Sequence, residues 1–127
     1  FRAVMESIAY EYRMYLDILC GCGMKRPSTV FGTGGGSASP CFDRIKADVL
    51  GMDYSVTERK DTAPFGAALL AGYGTGIYPD LASAAKRLTG IAGTYKADPG
   101  RHDLYKSRAE EYLHILDMSG MLRKRSR

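Results

Sequence analysis

The chain has 127 residues, of which 45% are apolar and 25% are charged. That length and composition are typical of one soluble domain with a modest core, and no apolar run is long enough to span a membrane. The net charge of +4 comes from the basic residues between Arg123 and Arg127, so residues 1–122 are about neutral. This pattern predicts a solvated basic tail at 123–127. It argues against nucleic-acid binding, because no basic face or aromatic-interleaved strand accompanies the tail.

The three cysteines are Cys20, Cys22 and Cys41. An odd number in a chain of this size argues against a disulfide framework and favours a reducing compartment, which predicts a cytoplasmic protein. A single residue separates Cys20 from Cys22, whereas zinc sites usually place roughly two to four residues between paired cysteines. We therefore expect no metal site.

The first predicted element is a helix over residues 2–19. The apolar residues at steps of three and four, which should form its buried stripe, are Met5, Ile8, Tyr12, Tyr15 and Leu19. Gly21 is predicted to end this helix in a left-handed C-cap. Because Phe1 is followed at once by a helical pattern, we expect the chain to be a piece of a longer protein.

The most informative stretch is a glycine turn between a strand and a helix. Residues 28–32 predict a buried strand, and four of the five residues from Gly32 to Gly36 are glycines. Ser39 and Pro40 are typical of the cap and first position of a helix. Glycines let a ligand approach the backbone, and the helix start adds unpaired N–H groups and the positive end of its dipole. This unit predicts an anion site, most commonly for a phosphate.

The helix after the turn is predicted over residues 40–50 and should end at Gly51. Its core-facing positions are predicted to be Phe42, Ile45 and Val49. Its solvated outer face is predicted to carry Asp43, Arg44, Lys46 and Asp48. A second strand is predicted over residues 52–57, and strand, helix and strand in this order predict a right-handed parallel crossover.

Three further helices are predicted. Thr62 or Ala63 should cap a helix of small residues whose Gly66 indicates close packing, against the glycine turn or its strand. Asp80 should cap a short helix whose inward residues are Leu81, Ala84, Ala85 and Leu88. After a loop at 89–98, Pro99 should open a helix over about 101–119, with a buried stripe of Tyr105, Ala109, Tyr112 and Leu116.

The two histidines, His102 and His114, are interpreted as surface or boundary residues. Because a two-stranded parallel sheet is not stable alone, we expect further strands upstream of the chain. The exposed edge of such a sheet could pair with another copy of the chain, which would give a homo-oligomer.

Two general phosphate motifs compete for the glycine turn. Gly32, Gly34 and Ser37 resemble the dinucleotide-binding G-x-G-x-x-G with its last glycine replaced, and Asp53 or Glu58 could then bind ribose. However, the helix begins late for that tight turn. A Walker-type loop fails because no Gly-Lys-Ser/Thr follows.

A family resemblance is carried by five segments in one order. They are RAVMESIAY (2–10), GGGSASP (34–40), KADVLG (46–51), FGAALLA (65–71) and GTG (74–76). Together they resemble the C-terminal lobe of the FGGY carbohydrate kinases over about residues 1–88, most like the xylulose kinase branch. The resemblance implies an α/β fold that is part of an actin-like ATPase (ribonuclease H-like) lobe, ordered helix, strand, helix, strand, helix and then C-terminal helices. Residues 1–122 would be the C-terminal portion of the second actin-like domain.

The resemblance also implies a function, namely ATP-dependent phosphorylation of a sugar hydroxyl with Mg²⁺, and a pentulose such as xylulose as the sugar. Gly34, Gly35 and Gly36 match the family's backbone contacts to the adenosine and α-phosphate side of ATP or ADP, and Ser39 matches a nucleotide-contacting position. In the family, the catalytic base and most sugar contacts lie upstream, in an N-terminal lobe that this chain lacks. No catalytic residue is therefore assigned here, and the chain alone is expected to be inactive. The alternatives are a dinucleotide-dependent oxidoreductase fragment and a non-enzymatic actin-like ATP-binding module.

Overall fold

The computed structural model describes residues 1–120, so the predicted basic tail at 123–127 lies outside the described residues. The elements in chain order are α1 (Arg2–Gly21), β1 (Thr29–Gly32), a 3₁₀ turn (Gly35–Ser37), α2 (Pro40–Leu50), β2 (Asp53–Thr57), α3 (Thr62–Gly74), α4 (Leu81–Leu88), β3 (Ile91–Tyr95) and α5 (Pro99–Met118). The mixed α/β class and the predicted element order are confirmed. The exception is one additional strand, β3.

The sheet has three strands in the order β1, β2, β3. β1 and β2 are parallel, with Thr29 opposite Asp53 and Gly32 opposite Val56, which confirms the predicted crossover through α2. The prediction of a loop at 89–98 was wrong, because β3 pairs antiparallel with β2. A glycine within a five-residue strand hides the alternation that would have indicated it, and the pairing itself is non-local. A third strand is therefore supplied by the chain itself, and further strands upstream stay a prediction.

Helices α1, α2 and α5 pack together beside this sheet. One buried cluster joins all three helices and consists of Ala9, Tyr10, Ile45, Val49, Tyr105 and Ala109. A second cluster joins α1 and α2 to β2 and consists of Leu16, Ala47, Leu50, Met52 and Tyr54. The predicted inward positions of α2 are thus confirmed. Of the predicted stripe of α5, Tyr105 and Ala109 are buried, whereas Tyr112 and Leu116 are half-buried.

The buried face of α1 differs from the predicted one. Its fully buried residues are Ala9, Tyr10 and Leu16, whereas Ile8, Tyr12, Tyr15 and Leu19 are exposed. Apolar residues occur on several sides of this helix, so the periodicity is compatible with two faces. The packing against α2 and α5 selects one of them, a choice that only tertiary contacts can make. The left-handed residue after α1 is Gly23 rather than the predicted Gly21.

Helix α2 is nearly enclosed, and the prediction of a solvated charged face was wrong for three of its four residues. Asp43, Lys46 and Asp48 are each no more than 2% exposed, whereas Arg44 is exposed. Charged side chains are almost never fully buried unless they are paired. Lys46 pairs with Asp43 at 3.1 Å, and Asp48 pairs with Arg101 of α5 at 3.4 Å.

Helix α3 does not pack against the glycine turn as predicted. Among its residues only Leu69 and Gly72 are buried, and a Cβ at Gly66 would meet nothing within 4 Å. Close packing occurs instead at Gly72, where a Cβ would lie 2.5 Å from the ring of Tyr78. The N-cap of α3 is Asp61, one residue before the predicted Thr62 or Ala63. Asp80 caps α4 as predicted, through a 2.7 Å bond from the Ser83 N–H.

A polar cluster joins the beginning of α1 to α5. The Tyr105 hydroxyl and the Arg2 guanidinium each donate to Glu6 Oε1 at 2.8 Å. Burial opposes the ionisation of Glu6, but these hydrogen bonds outweigh it and hold the pKa of Glu6 below its ordinary value. Burial raises the pKa of Tyr105, and the tyrosine hydroxyl therefore stays protonated as the donor.

Candidate functional site

The glycine turn lies beyond the carboxyl end of β1, beside the end of the parallel strand β2. In sheets with parallel strands, ligands usually bind at this edge. The turn is a short 3₁₀ segment closed by hydrogen bonds from Ser37 N–H to the Gly34 carbonyl and from Ala38 N–H to the Gly35 carbonyl, both 3.2 Å. Helix α2 begins three residues after the segment ends.

The backbone of the turn is open on one side. Within residues 1–120, the N–H groups of Gly34, Gly35 and Gly36 have no hydrogen-bond acceptor. A Cβ built on any of these glycines would meet nothing within 4 Å. Unpaired N–H groups on an open backbone are the features that bind anions. The structure thus brings three of the four predicted site residues together.

Two glycines at the site are required for different reasons. Gly34 has a φ of 73° and a ψ of −165°, a backbone conformation that side chains with a Cβ rarely adopt. Gly32 has an ordinary backbone but no room, because a Cβ there would overlap Tyr54 Oη and Ser37 Oγ. The first glycine therefore shapes the turn, and the second allows β1 to pack closely against the residues beneath it.

Ser39, the fourth predicted site residue, caps α2. Its Oγ accepts a 3.4 Å hydrogen bond from the Phe42 N–H, with Pro40 at the first helical position. The helix ends at Gly51, whose φ of 65° gives the left-handed C-cap that the sequence predicts. The predicted bounds of α2 are thus confirmed at both ends. The contribution of Ser39 to the fold is the cap, and its nucleotide contact stays a prediction.

A buried network under the turn was missed by the sequence analysis. Lys46 Nζ donates to the Gly36 carbonyl at 2.5 Å, to Asp43 Oδ1 at 3.1 Å and to Tyr54 Oη at 3.1 Å. Tyr54 Oη in turn lies 3.0 Å from Ser37 Oγ. The spacing of Asp43 and Lys46, three positions apart on a helix, could have indicated their ion pair but not its burial beneath the glycines.

A cleft of about 260 Å³ opens beside the turn. Its lining includes Gly34, Ser37, Ala38 and Pro40 from the turn and the start of α2, Asp43 from α2, Thr57, Glu58 and Lys60 from the end of β2, and Tyr95 from β3. The cleft is therefore formed by the glycine turn, the first turn of α2, the end of β2 and the antiparallel strand β3. It is large enough to admit part of a nucleotide and combines hydroxyl, amide and charged groups.

Helix α2 is anchored on its far side by Asp48. Its Oδ1 accepts from the Asp98 N–H at 2.9 Å, and its backbone carbonyl lies 2.9 Å from His102 Nδ1. His102 is therefore a boundary residue that packs over Gly51, and His114 is exposed, as predicted. Neither histidine lies in the cleft.

Across residues 1–120, no three His, Cys, Asp or Glu side chains come together as metal ligands would. In the same range, no helix is both long and apolar enough to cross a membrane. β1 and β3 are the two outer strands of the sheet, and the edge beyond β1 is unpaired within the described chain. Pairing of that edge with another copy stays a prediction.

The sequence and the fold of this chain are both similar to those of known proteins. Residues 1–75 match the model of the FGGY family of carbohydrate kinases, C-terminal domain. The autoinducer-2 kinase of Escherichia coli K12 is 30% identical over 112 residues, which cover 88% of this chain and 21% of that protein. The chain thus spans about a fifth of the length of the curated relatives that it matches.

Two solved structures share the fold. A ligand-bound xylulose kinase from Lactobacillus acidophilus has a TM-score of 0.80 at 20% identity, over 92% of this chain and 24% of that one. A Plasmodium falciparum glycerol kinase with ADP has a TM-score of 0.77 at 22% identity, over 97% of this chain and 24% of that one. The fold is therefore part of an actin-like ATPase lobe, as the resemblance implied. With the family model matched over more than half of its length, the chain belongs to the FGGY family of carbohydrate kinases and contains sequence of their C-terminal domain.

Proposed function

We propose that this chain is the nucleotide-binding portion of an ATP-dependent carbohydrate kinase. The observation that carries the proposal is the glycine turn, where three neighbouring backbone N–H groups have no acceptor within residues 1–120 and the missing side chains leave open space beside a cleft. Such a turn suits the phosphates of a nucleotide. Residues 1–122 would then form the C-terminal portion of the second actin-like domain of the kinase.

In this proposal, Gly34, Gly35 and Gly36 bind the adenosine and α-phosphate side of ATP through their N–H groups. Ser39 adds a contact from the start of α2 while it caps the helix. The antiparallel β3 and the family membership both argue against the dinucleotide-binding alternative. ATP, when bound, supplies the phosphoryl group, and the turn's contribution is to hold the nucleotide in position.

Mg²⁺ is proposed to accompany the nucleotide. Asp43 and Glu58 line the cleft, but Asp43 is paired with Lys46, and residues 1–120 contain no cluster of three metal-ligating side chains. The described residues therefore do not fit a metal cage. We infer that any magnesium is held by the phosphates and by groups from the rest of the kinase.

The sugar is proposed to be a pentulose such as xylulose, because a xylulose kinase is among the structural neighbours. Neighbours and relatives with other named substrates share the same fold or sequence, so the choice of sugar depends on residues outside this chain. The catalytic base is proposed to lie there too. A cytoplasmic location is proposed from the three free cysteines.

A titration of the isotopically labelled chain with Mg-ADP, and separately with NAD, tests the nucleotide site. We expect backbone amide shifts with ADP that are concentrated at residues 34–39, and none with NAD. A response to NAD alone, or ADP-dependent shifts centred elsewhere, would contradict the proposal. A coupled assay with xylulose and ATP should detect no phosphorylation by the 127-residue chain, since catalysis needs the other lobe.

A further inference from the structure

The ammonium group of Lys46 is a deeply buried charge beside the glycine turn, with the residue 1% exposed. The side chain of Lys46 reaches the underside of the glycine turn because α2 begins only three residues after the 3₁₀ segment ends. An ammonium has three hydrogens and no acceptor capacity. The three acceptors around Lys46 are the Gly36 carbonyl, Asp43 Oδ1 and Tyr54 Oη, so its donors are fully used.

These contacts determine the direction of the hydrogen bond between Tyr54 and Ser37. Tyr54 Oη accepts from Lys46, so its own single hydrogen needs an acceptor, and Ser37 Oγ is the one available at 3.0 Å. Tyr54 is buried, and an unsatisfied hydroxyl there would be costly. Tyr54 therefore donates to Ser37, and the bond does not run in the opposite direction.

A consequence follows for Ser37, which lines the cleft. Its oxygen accepts from Tyr54, so its own hydrogen is left to donate elsewhere, and residues 1–120 provide no acceptor for it. Hydrogen bonds in a chain polarise one another, which makes the terminal hydroxyl a better donor. The group at the end of this chain is thus an O–H that is free to donate to a ligand in the cleft, which Gly34 also lines.

We propose that Ser37 donates a hydrogen bond to a phosphate oxygen of the bound nucleotide, and that Lys46 and Tyr54 are positioning residues that orient it. Lys46 has a second effect, because its bond to the Gly36 carbonyl holds the backbone of the turn in the open conformation. This inference rests on the proposed function, since it assigns a new residue to the same nucleotide site. It adds a side-chain phosphate contact to a site otherwise made of backbone groups.

The experiment compares ADP with adenosine, which lacks the phosphates. Affinities of the 127-residue chain are measured by amide shifts for the wild type, Ser37→Ala and Tyr54→Phe, with Ser107→Ala on the exposed side of α5 as the control. Loss of a hydrogen bond to a charged group should weaken ADP binding about tenfold in Ser37→Ala and by a similar factor in Tyr54→Phe. Adenosine binding should be unchanged in both variants, and the control should match the wild type.

Lys46→Met tests the positioning effect without a ligand. Methionine is of similar length and apolar, so the core stays filled, but the Gly36 carbonyl loses its donor. The protected amides of the turn are those of Ser37 and Ala38, which donate to the Gly34 and Gly35 carbonyls. We expect their exchange to become at least about tenfold faster relative to exchange in α5, because the local opening free energy falls most at the turn. Tyr54→Phe should leave this exchange nearly as slow as in the wild type.

The outcomes separate the inference from the function on which it rests. Equal ADP affinity in the wild type and Ser37→Ala would overturn the inference while the proposed function stands. Equal losses for ADP and adenosine would assign Ser37 to the nucleoside rather than the phosphate and would also overturn it. If inorganic phosphate produces the same shifts with the same affinity as ADP, the site is a phosphate site only, and the proposed function fails. No binding of ADP by the wild type would overturn both.

Discussion

The replacement of Asp48 by alanine should be among the most destabilising single changes in the chain. Asp48 is 2% exposed, and its carboxylate connects α2 to the start of α5. The substitution leaves the Asp98 N–H without its acceptor and Arg101 without one of its partners. Both losses can be estimated separately from the structure.

The hydrogen bond from Asp98 is the larger contribution. A bond from a backbone N–H to a buried carboxylate contributes about 1.5–3 kcal/mol. The pair with Arg101 is long at 3.4 Å, and the arginine side chain is 51% exposed. Such pairs contribute about 0–1 kcal/mol because solvent screens them. We therefore expect Asp48→Ala to lower the free energy of unfolding by about 3 kcal/mol.

Two further variants separate the two contributions. Asp48→Asn keeps an oxygen that can accept from Asp98, so its loss should be only about 1 kcal/mol. Arg101→Ala removes only the exposed partner and should cost less than about 1 kcal/mol. Asp117→Ala, an exposed aspartate near the end of α5, serves as the control.

Urea denaturation followed by circular dichroism measures these differences, with equal m-values required for the comparison. The reasoning is refuted if Asp48→Ala is as stable as the Asp117→Ala control. It is also refuted if Asp48→Asn costs as much as Asp48→Ala, because the backbone hydrogen bond would then not be the main contribution. A loss in Arg101→Ala as large as that in Asp48→Ala would reverse the assigned order.

Three other predictions concern the caps and the polar cluster. Gly51→Ala should lower the free energy of unfolding by about 1–2 kcal/mol, because alanine is strained in the left-handed conformation of this residue. Displacement of the His102 ring by the new Cβ should add a further loss. Wild-type stability in urea denaturation would contradict this. Ser39→Ala should lower the free energy of unfolding by about 0.5–1 kcal/mol, whereas Ser39→Asn, which can still cap the helix, should change it very little. Thermal unfolding measures both variants, and equal losses would argue against the cap. Because the folded-state pKa of Glu6 is lowered, its contribution is present above the unfolded pKa of about 4.3 and is lost as the pH falls through the folded value. The stability of Glu6→Gln should therefore depend less on pH than that of the wild type below about pH 4.3. Identical acid unfolding of the two proteins would show that Glu6 is not the source of this pH dependence.

The glycine turn and its helix were predictable because their signals are local. Ser39, Pro40 and Gly51 each act on the few residues around them, and the observed bounds of α2 match the predicted ones. The same holds for α5, which Asp98 and Pro99 begin and whose buried stripe follows the apolar spacing. Capping groups satisfy backbone N–H and carbonyl groups within one turn, so the residues themselves carry the information.

The residues under the turn could not be predicted in the same way. On α2, Asp43 and Lys46 read as ordinary surface charges, and their burial depends on Tyr54 arriving from β2 eight residues later. The buried side of α1 depends in the same way on α2 and α5, and β3 exists because β2 offers it an edge. These features involve partners that are distant in the chain.

The sequence by itself therefore determined where the helices begin and end, where the backbone is free of side chains, and to which family the motifs point. Each of these depends on the chemistry of neighbouring residues. Tertiary structure alone decided which charges are buried, which face of α1 is covered, and that Ser37, Tyr54 and Lys46 form one hydrogen-bonded chain beneath the glycines. The physical reason is that a buried charge is tolerated only where distant segments supply its partners, and that supply exists only once the chain has folded.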